Sequence, residues 1–261
     1  MLRTSEGFTI CSYNVQKLNS QKISNHRHTL TRVTHTHTHT HSVCLLSRCD
    51  VALLQHVSDP DGKVVRTLLN TLNKNMFTFT GNTHTHARTH ARTHDAHPHT
   101  HTHTHTVLRA LARTGSVEVL DQYQYRGPSS FLRPPFKFFL VPLHSDPDQA
   151  KDEINGLYDV FQDVSRKTLC FLGDFHAACA YLTKSNRKDV RLFRNSSFSW
   201  LIGDKVDTTV SDDTSCAYDR MVVFGEPLLK AIIPRSAKVF DLSKEFKLSR
   251  TKVRLSNSLT L

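Results

Sequence analysis

The sequence predicts an α/β protein, and three observations predict it. Short β-rich runs alternate along the chain with amphipathic helical patterns. Polar residues suited to site chemistry recur where those β-rich runs end. The alternation also survives when two Thr/His-rich tracts are set aside as insertions.

In chain order, FTICSYNVQKL (8–18) begins as a β-rich alternation and ends in polar residues, so it reads as a strand. CDVALLQHV (49–57) is a short apolar run of the kind buried in a sheet, closed by the turn SDPDG (58–62). VVRTLLNTLNK (64–74) then has helical spacing. VEVLDQYQY (117–125) and FKFFLVPLH (136–144) read as further strands. DQAKDEINGLYDVFQDV (148–164) places Ile154, Leu157, Val160, Phe161 and Val164 on one helical stripe. TLCFLGDF (168–175), FSWLIG (198–203) and CAYDRMVVFG (216–225) complete the strands. Asn14, Gln55 with His56, His144, Asp174 and Asp219 sit at strand ends, where α/β proteins assemble sites from several strand termini.

A chain of 261 residues has room for one large domain or two small ones. Its 34 Lys and Arg against 23 Asp and Glu give a formal charge of +11. That balance suits a polyanionic partner such as nucleic acid, although basic secreted proteins without one are common. No apolar run approaches the roughly 18 residues of a membrane span, and the N-terminus carries no signal-peptide pattern. The six cysteines are too widely spaced for a CxxC zinc site.

Of 18 histidines, all but His56, His144 and His176 fall in tracts at 26–41 and 84–105. Alternating Thr-His would line imidazoles along one face of a strand, and His-rich tracts bind zinc or nickel loosely. A simpler origin is a nucleotide repeat: ACAC reads as Thr-His, and GCAC as the Ala-Arg-Thr-His of ARTHARTH (87–94). Such tracts bury too little apolar surface to offset their ordering entropy, so they are expected as disordered inserts at about 26–46 and 83–112.

SYNVQKL, RCDVALLQHV, FLVPLHSDP, LGDFHAACAYL, WLIGDKVDTTV and CAYDRMVV together resemble the deoxyribonuclease I family of the endonuclease/exonuclease/phosphatase superfamily. The resemblance implies a four-layer sandwich, two mixed β-sheets flanked by helices, as a single domain over 1–250, with an atypical basic tail at 251–261. It implies an endodeoxyribonuclease acting on DNA as a monomer, with no membrane, using catalytic Mg²⁺ and structural Ca²⁺. It places the protein outside the cell or in the endoplasmic reticulum lumen, with the nucleus as the alternative. In this reading His144, Asp174 and Asp219 are catalytic, and Asn14, Arg133, His176, Thr208 and Thr209 contact phosphate or DNA. His56, Asp174 and Asp207 are the metal positions, and Cys179 pairs with Cys216. Cys11, Cys44, Cys49 and Cys170 read most simply as buried or insert thiols.

The chain departs from the family pattern where the chemistry is most sensitive. Phosphodiester hydrolysis needs a base, an acid and cationic stabilisation of the transition state, and the family uses two His–carboxylate couples. His144's glutamate partner belongs to the segment taken by the second tract, where Asp95 is a poor substitute. Asp219's histidine partner belongs to a C-terminal Ser-Asp-His motif absent from FDLSKEFKLSRTKVRLSNSLTL (240–261). His56 stands where the family has a metal-binding Glu, and His176 where it has Asn. Loss of the terminal strand is expected to expose sheet edges. The tail cations Lys244, Lys247, Arg250, Lys252 and Arg254 read either as solvated surface or as a DNA-binding extension. The function expected is a DNA-hydrolysing endonuclease with impaired catalysis. A non-catalytic DNA- or partner-binding pseudoenzyme is the alternative.

Overall fold

Apolar residues that alternate in the sequence separate into distinct cores in the computed structural model. It describes residues 1–4, 7–19, 46–74, 79–81, 107–114, 116, 130–132, 138–164, 167–209, 213–241 and 244. The first sheet contains β1 (Leu2–Arg3), β2 (Thr9–Leu18), β3 (Val51–Val57), β4 (Phe79–Gly81) and β5 (Val107–Arg113), in the order β1-β2-β3-β5-β4. The second contains β6 (Ser130–Leu132), β7 (Phe138–His144), β8 (Leu169–Asp174), β9 (Phe198–Trp200) and β10 (Asp219–Phe224), in the order β6-β7-β8-β10-β9. Each sheet has one parallel pair, β2 with β3 and β7 with β8, and its other pairings are antiparallel. The two sheets therefore share one topology.

Period-2 alternation makes four layers of this. Ile10, Val51, Leu53, Leu140, Cys170, Leu172, Met221 and Val223 turn inward and form the core between the sheets. Their neighbours Cys11, Tyr13, Ala52 and Leu54 face outward under helix α1 (Lys63–Asn73), which buries Val64, Val65, Leu68 and Leu72. Val141, Leu169, Phe171 and Val222 do the same on the second sheet. They pack under helix α2 (Ala150–Asp163) and its Ile154, Leu157, Val160 and Phe161. Two short helices, α3 (Arg191–Arg194) and α4 (Glu226–Ala231), and two 3₁₀ turns, Pro147–Gln149 and Asn186–Asp189, complete the described elements.

The turn before α1 shows why this helix starts where it does. Asp59 is buried, and its carboxylate accepts the N–H groups of Val64 (2.9 Å) and Val65 (3.1 Å), orphan donors of the first turn. The same carboxylate faces Arg109 of β5 at 3.9 Å, and the guanidinium also donates to the Asp59 carbonyl (3.3 Å). This corrects the expected insert 83–112: residues 107–112 belong to β5, which pairs with β3 on one side and β4 on the other. Ladder pairing on both edges and a buried ion pair hold a segment whose sequence lacks strand alternation. Leu46, at the limit of the first insert, is likewise in the core. The rest of both tracts and the expected strand 117–125 lie outside the described residues.

Two further expectations change. Cys11 and Cys49 are bonded to each other, with Cα atoms 6.0 Å apart, because the start of β2 and the entry to β3 run side by side. Cys179 pairs with Cys216 as expected, Cys170 is a buried thiol, and Cys44 lies outside the described residues. The outer edge of β1 is not left bare. Thr4 bridges Ile232, Ile233 N–H donates to the Arg3 carbonyl (3.0 Å), and Lys238 N–H donates to the Met1 carbonyl (3.0 Å).

Candidate active site at the strand ends

The parallel pairs of the two sheets end together, and the meeting point is Asp174. On one side of it in the ladder is His144, on the other Asp219. Gly173, just before it, has φ +134° and lies so close to β7 that an added Cβ would stand 2.0 Å from the Leu143 carbonyl oxygen. Only glycine meets both requirements. The first sheet reaches over to the same residue. Asn14 donates from Nδ2 to Asp174 Oδ2 (3.2 Å), and the fully buried Gln55 accepts the Asp174 N–H at Oε1 (2.8 Å). Gln55 is itself held by donating from Nε2 to Ser12 Oγ (2.8 Å). Asp174 Oδ1 accepts the His176 N–H (3.2 Å).

Two imidazoles, His144 and His176, lie beside this carboxylate, and a third, His56, lies against His144. His56 sits in a bulge, between paired Leu54 and Val57, with φ 62°. Bulges re-aim side chains near sites, and here the ring is brought to 5.2 Å from that of His144, centroid to centroid. His144 and His176 are 6.1 Å apart. His176 also has positive φ, 48°, and its Nδ1 lies 3.1 Å from Ser145 Oγ and 3.5 Å from Asp174 Oδ1. The buried Nδ1 of His144 has no hydrogen-bond partner among the described residues, and Asp174 Oδ2 stands 3.9 Å away.

Electrostatics push the two ends of the cluster apart. Burial lowers the pKa of His144, against the pull of Asp174 and Asp146, and His176 lowers it further. Burial thus favours the neutral form of His144. Asp219 has its pKa raised well above the ordinary carboxylate value, first by burial and then by the Asp174 charge, with a Thr208 hydrogen bond opposing.

The remaining expected positions divide. Thr208 is buried, and its Oγ1 accepts the N–H groups of Tyr218 (2.9 Å) and Asp219 (3.1 Å) and donates to the Cys216 carbonyl (3.1 Å). It splints the backbone under Asp219, because a buried hydroxyl must satisfy its own bonds. Thr209 and Asp207 are on the adjoining loop, where Asp207 Oδ1 accepts the Thr209 N–H (2.9 Å) and hydroxyl (2.6 Å). Arg133 lies outside the described residues. The sequence reading did not single out Ser145 or Arg220. Arg220 follows Asp219 and donates to the carbonyls of Ala217, Ile202 and Ala177 and to Asp204 Oδ1 (2.7 Å), anchoring the start of β10.

Neither expected cation fits the residues as they stand. Mg²⁺ requires a near-octahedral shell of hard oxygens. Here both oxygens of Asp174 already accept protein N–H groups, and an imidazole occupies position 56. At the Ca²⁺ position Asp207 is a single carboxylate turned onto Thr209. Among the described residues no three His, Cys, Asp or Glu side chains are grouped to hold a metal ion.

Comparison with known proteins gives a consistent picture. The chain is 34% identical over 271 residues to deoxyribonuclease-1 of Mus musculus, covering 95% of this chain and 88% of that protein. It is 31% identical over 256 residues to deoxyribonuclease gamma of Rattus norvegicus, covering 92% and 78%. It is 34% identical to deoxyribonuclease-1-like 1 of Bos taurus, covering 94% and 76%. No family model matches the chain. Among solved structures, an endonuclease/exonuclease/phosphatase family protein from Bacteroides thetaiotaomicron superposes with a TM-score of 0.51 at 10% identity, over 83% of this chain and 82% of that one. The endonuclease domain of the TRAS1 retrotransposon gives 0.51 at 12% identity, over 85% and 86%. At those identities the likeness is one of fold.

Proposed function

Because the chain belongs to the deoxyribonuclease I family, we propose that it hydrolyses phosphodiester bonds of DNA at the cluster around Asp174. The observation that carries this reading is the convergence of Asn14, His144, His176 and Asp219 on one carboxylate, from strand ends of both sheets, with His56 against His144. His144, held neutral by burial, takes the proton of the attacking water. Asp219, with its raised pKa, is the group able to hold a proton for the leaving 3′ oxygen. Environments that drive two titratable groups in opposite directions are how a site acquires a base and an acid at one pH. Asn14 and His176, both beside Asp174, carry donor groups suited to phosphate oxygens. A divalent cation is required, and with His56 in place of a carboxylate the chain uses Mg²⁺ poorly.

The same geometry sets the rate. His144 Nδ1 lacks an orienting carboxylate at hydrogen-bond distance, and Asp219 faces Thr208 and Asp174 where the family has an imidazole. Members of a catalytic unit act non-additively, so the expected activity is at least about a thousandfold below that of an intact relative. Plasmid nicking by the purified chain tests this beside mouse deoxyribonuclease-1. Weak nicking abolished by His144→Ala supports the enzyme, and nicking within about tenfold of the relative refutes the impairment. Nicking that is unchanged in His144→Ala refutes the assignment of this site, and the unpartnered His144 Nδ1 then favours a DNA-binding pseudoenzyme. The two disulfides support an oxidising location, in the secretory pathway or outside the cell, where the protein acts as a monomer.

A further inference from the structure

Only one asparagine in these 261 residues is followed by a residue other than proline and then by serine or threonine: Asn195, in Asn195-Ser196-Ser197. That triplet is the acceptor pattern for an N-linked oligosaccharide. It stands in the turn between α3 and β9, with Ser196 and Ser197 exposed and Asn195 half-buried. Asn195 Oδ1 accepts the Ser197 N–H (3.0 Å), and the Phe198 N–H donates to the Asn195 carbonyl (3.2 Å). The oxygens of Asn195 are thus committed to the turn. Its Nδ2, the atom that takes the sugar, makes no hydrogen bond among the described residues, so a substituent there breaks none.

The turn's place in the fold decides what a group there covers. β10 starts at Asp219, opposite Asp174, and reaches Phe224 five residues later, about 17 Å away at strand spacing. Phe198 lies opposite Phe224, and Asn195 precedes Phe198, so the triplet is at the pole remote from the strand-end cluster. β9 is also the outermost strand of its sheet, and among the described residues it pairs with β10 alone. Such an edge offers backbone groups to other chains, and proteins blunt it with charge or cover. β9 carries no charge of its own, and its half-buried Trp200 stacks on Phe193 of α3 with ring centroids 4.0 Å apart. The edge is short, aromatic and uncharged.

We propose that Asn195 carries an N-linked oligosaccharide and that this sugar shields the outer edge of β9. The proposal rests on the secretory location that the two disulfides support, and not on the nuclease reading. In the transfer, Asn195 Nδ2 bonds to the anomeric carbon of an oligosaccharide held on a polyprenyl pyrophosphate. The bond from that carbon to the pyrophosphate oxygen breaks, the lipid pyrophosphate leaves with the electron pair, and the amide gives up one proton.

The test makes the full chain behind a cleavable secretion leader in cultured mammalian cells, reading medium and cell extract alike. The chain is expected to run as a single slowed band that peptide-N-glycosidase returns to the position of Ser197→Ala. Mass spectrometry of the treated chain should read Asp at position 195, because that enzyme hydrolyses the substituted amide. Ser197→Ala loses the hydroxyl of the triplet but keeps the backbone N–H of the turn, and should abolish the slowed band. Ser197→Thr restores the hydroxyl and should keep it. An unshifted parent chain, or a shift that survives Ser197→Ala, overturns the site. On heating, the bare Ser197→Ala chain should partition further into aggregate than the glycosylated parent, and equal partition overturns the shield. A glycosylated chain that never nicks DNA refutes only the nuclease reading. One that nicks but bears no sugar refutes only this proposal.

Discussion

Replacing Gln55 with leucine removes a fully buried amide that serves two strands at once. Its Oε1 accepts the Asp174 N–H from the opposite sheet and its Nε2 donates to Ser12 Oγ, both at 2.8 Å. Leucine has nearly the same volume, so little cavity forms and the loss is one of hydrogen bonding. The Asp174 N–H is left buried without an acceptor, at about 1–3 kcal/mol, and the Ser12 bond adds about 1 kcal/mol. The sum is about 3 kcal/mol. For a domain of this size each kcal/mol lowers the melting temperature by roughly 2–4 °C, so Q55L should melt about 6–12 °C below the parent. Ser12→Ala removes only the weaker interaction and should cost about 1 kcal/mol. Thermal unfolding followed by circular dichroism measures both. If Q55L melts within about 2 °C of the parent, or if S12A costs as much as Q55L, the amide does not tie the sheets together and the reasoning is wrong.

Three other perturbations follow from the site. His176 holds φ 48°, a conformation asparagine adopts more readily, so His176→Asn should gain up to about 1 kcal/mol in urea unfolding; a loss of stability would show that the Ser145 contact outweighs the backbone strain. His56→Glu restores a hard oxygen at the strand end and should raise Mg²⁺-supported plasmid nicking, while unchanged nicking would remove position 56 from any metal role. Burial raises the pKa of Glu153 to about 7, partly offset by the Asp146 N–H, and the Asp146 charge raises it further. A raised folded-state pKa means stability that is full below the ordinary glutamate value and lost as pH rises through 7. Glu153→Gln should therefore raise the melting temperature at pH 8 and leave it nearly unchanged at pH 4, and equal effects at both would exclude this linkage.

Much of the fold was legible in the sequence because its periods are clean. The runs at 8–18, 49–57, 136–144 and 168–175 and the helical stripes at 64–74 and 148–164 all correspond to elements, with boundaries moved by at most two residues. FSWLIG and CAYDRMVVFG gave shorter strands, since their ends curl into the loops held by Arg220. VLRALAR of β5 was missed because it lacks β-branched alternation, and what makes it a strand is pairing with β3 and β4. The polar strand ends marked the site before any coordinates, since a residue closing a buried run can point only at what lies beyond the sheet. The Cys11–Cys49 link was not readable, because spacing does not determine connectivity. Nor was the grouping of Tyr181 with Tyr218, which the pairing of β8 with β10 and the Cys179–Cys216 disulfide create together.

The two sheets repeat one strand order, and each supplies a different share of the residues gathered at their common end. Asn14 and His56 ride on one layer, His144, Asp174 and Asp219 on the other. Any molecule that grips both shares works as a clasp across the seam, recognising the layers only while they are closed together. Occupancy of the seam should therefore show up as resistance to heat and proteases that grows with the logarithm of ligand concentration above the dissociation constant, and a cut chain whose halves drift apart would lose its grip on the ligand along with its shape.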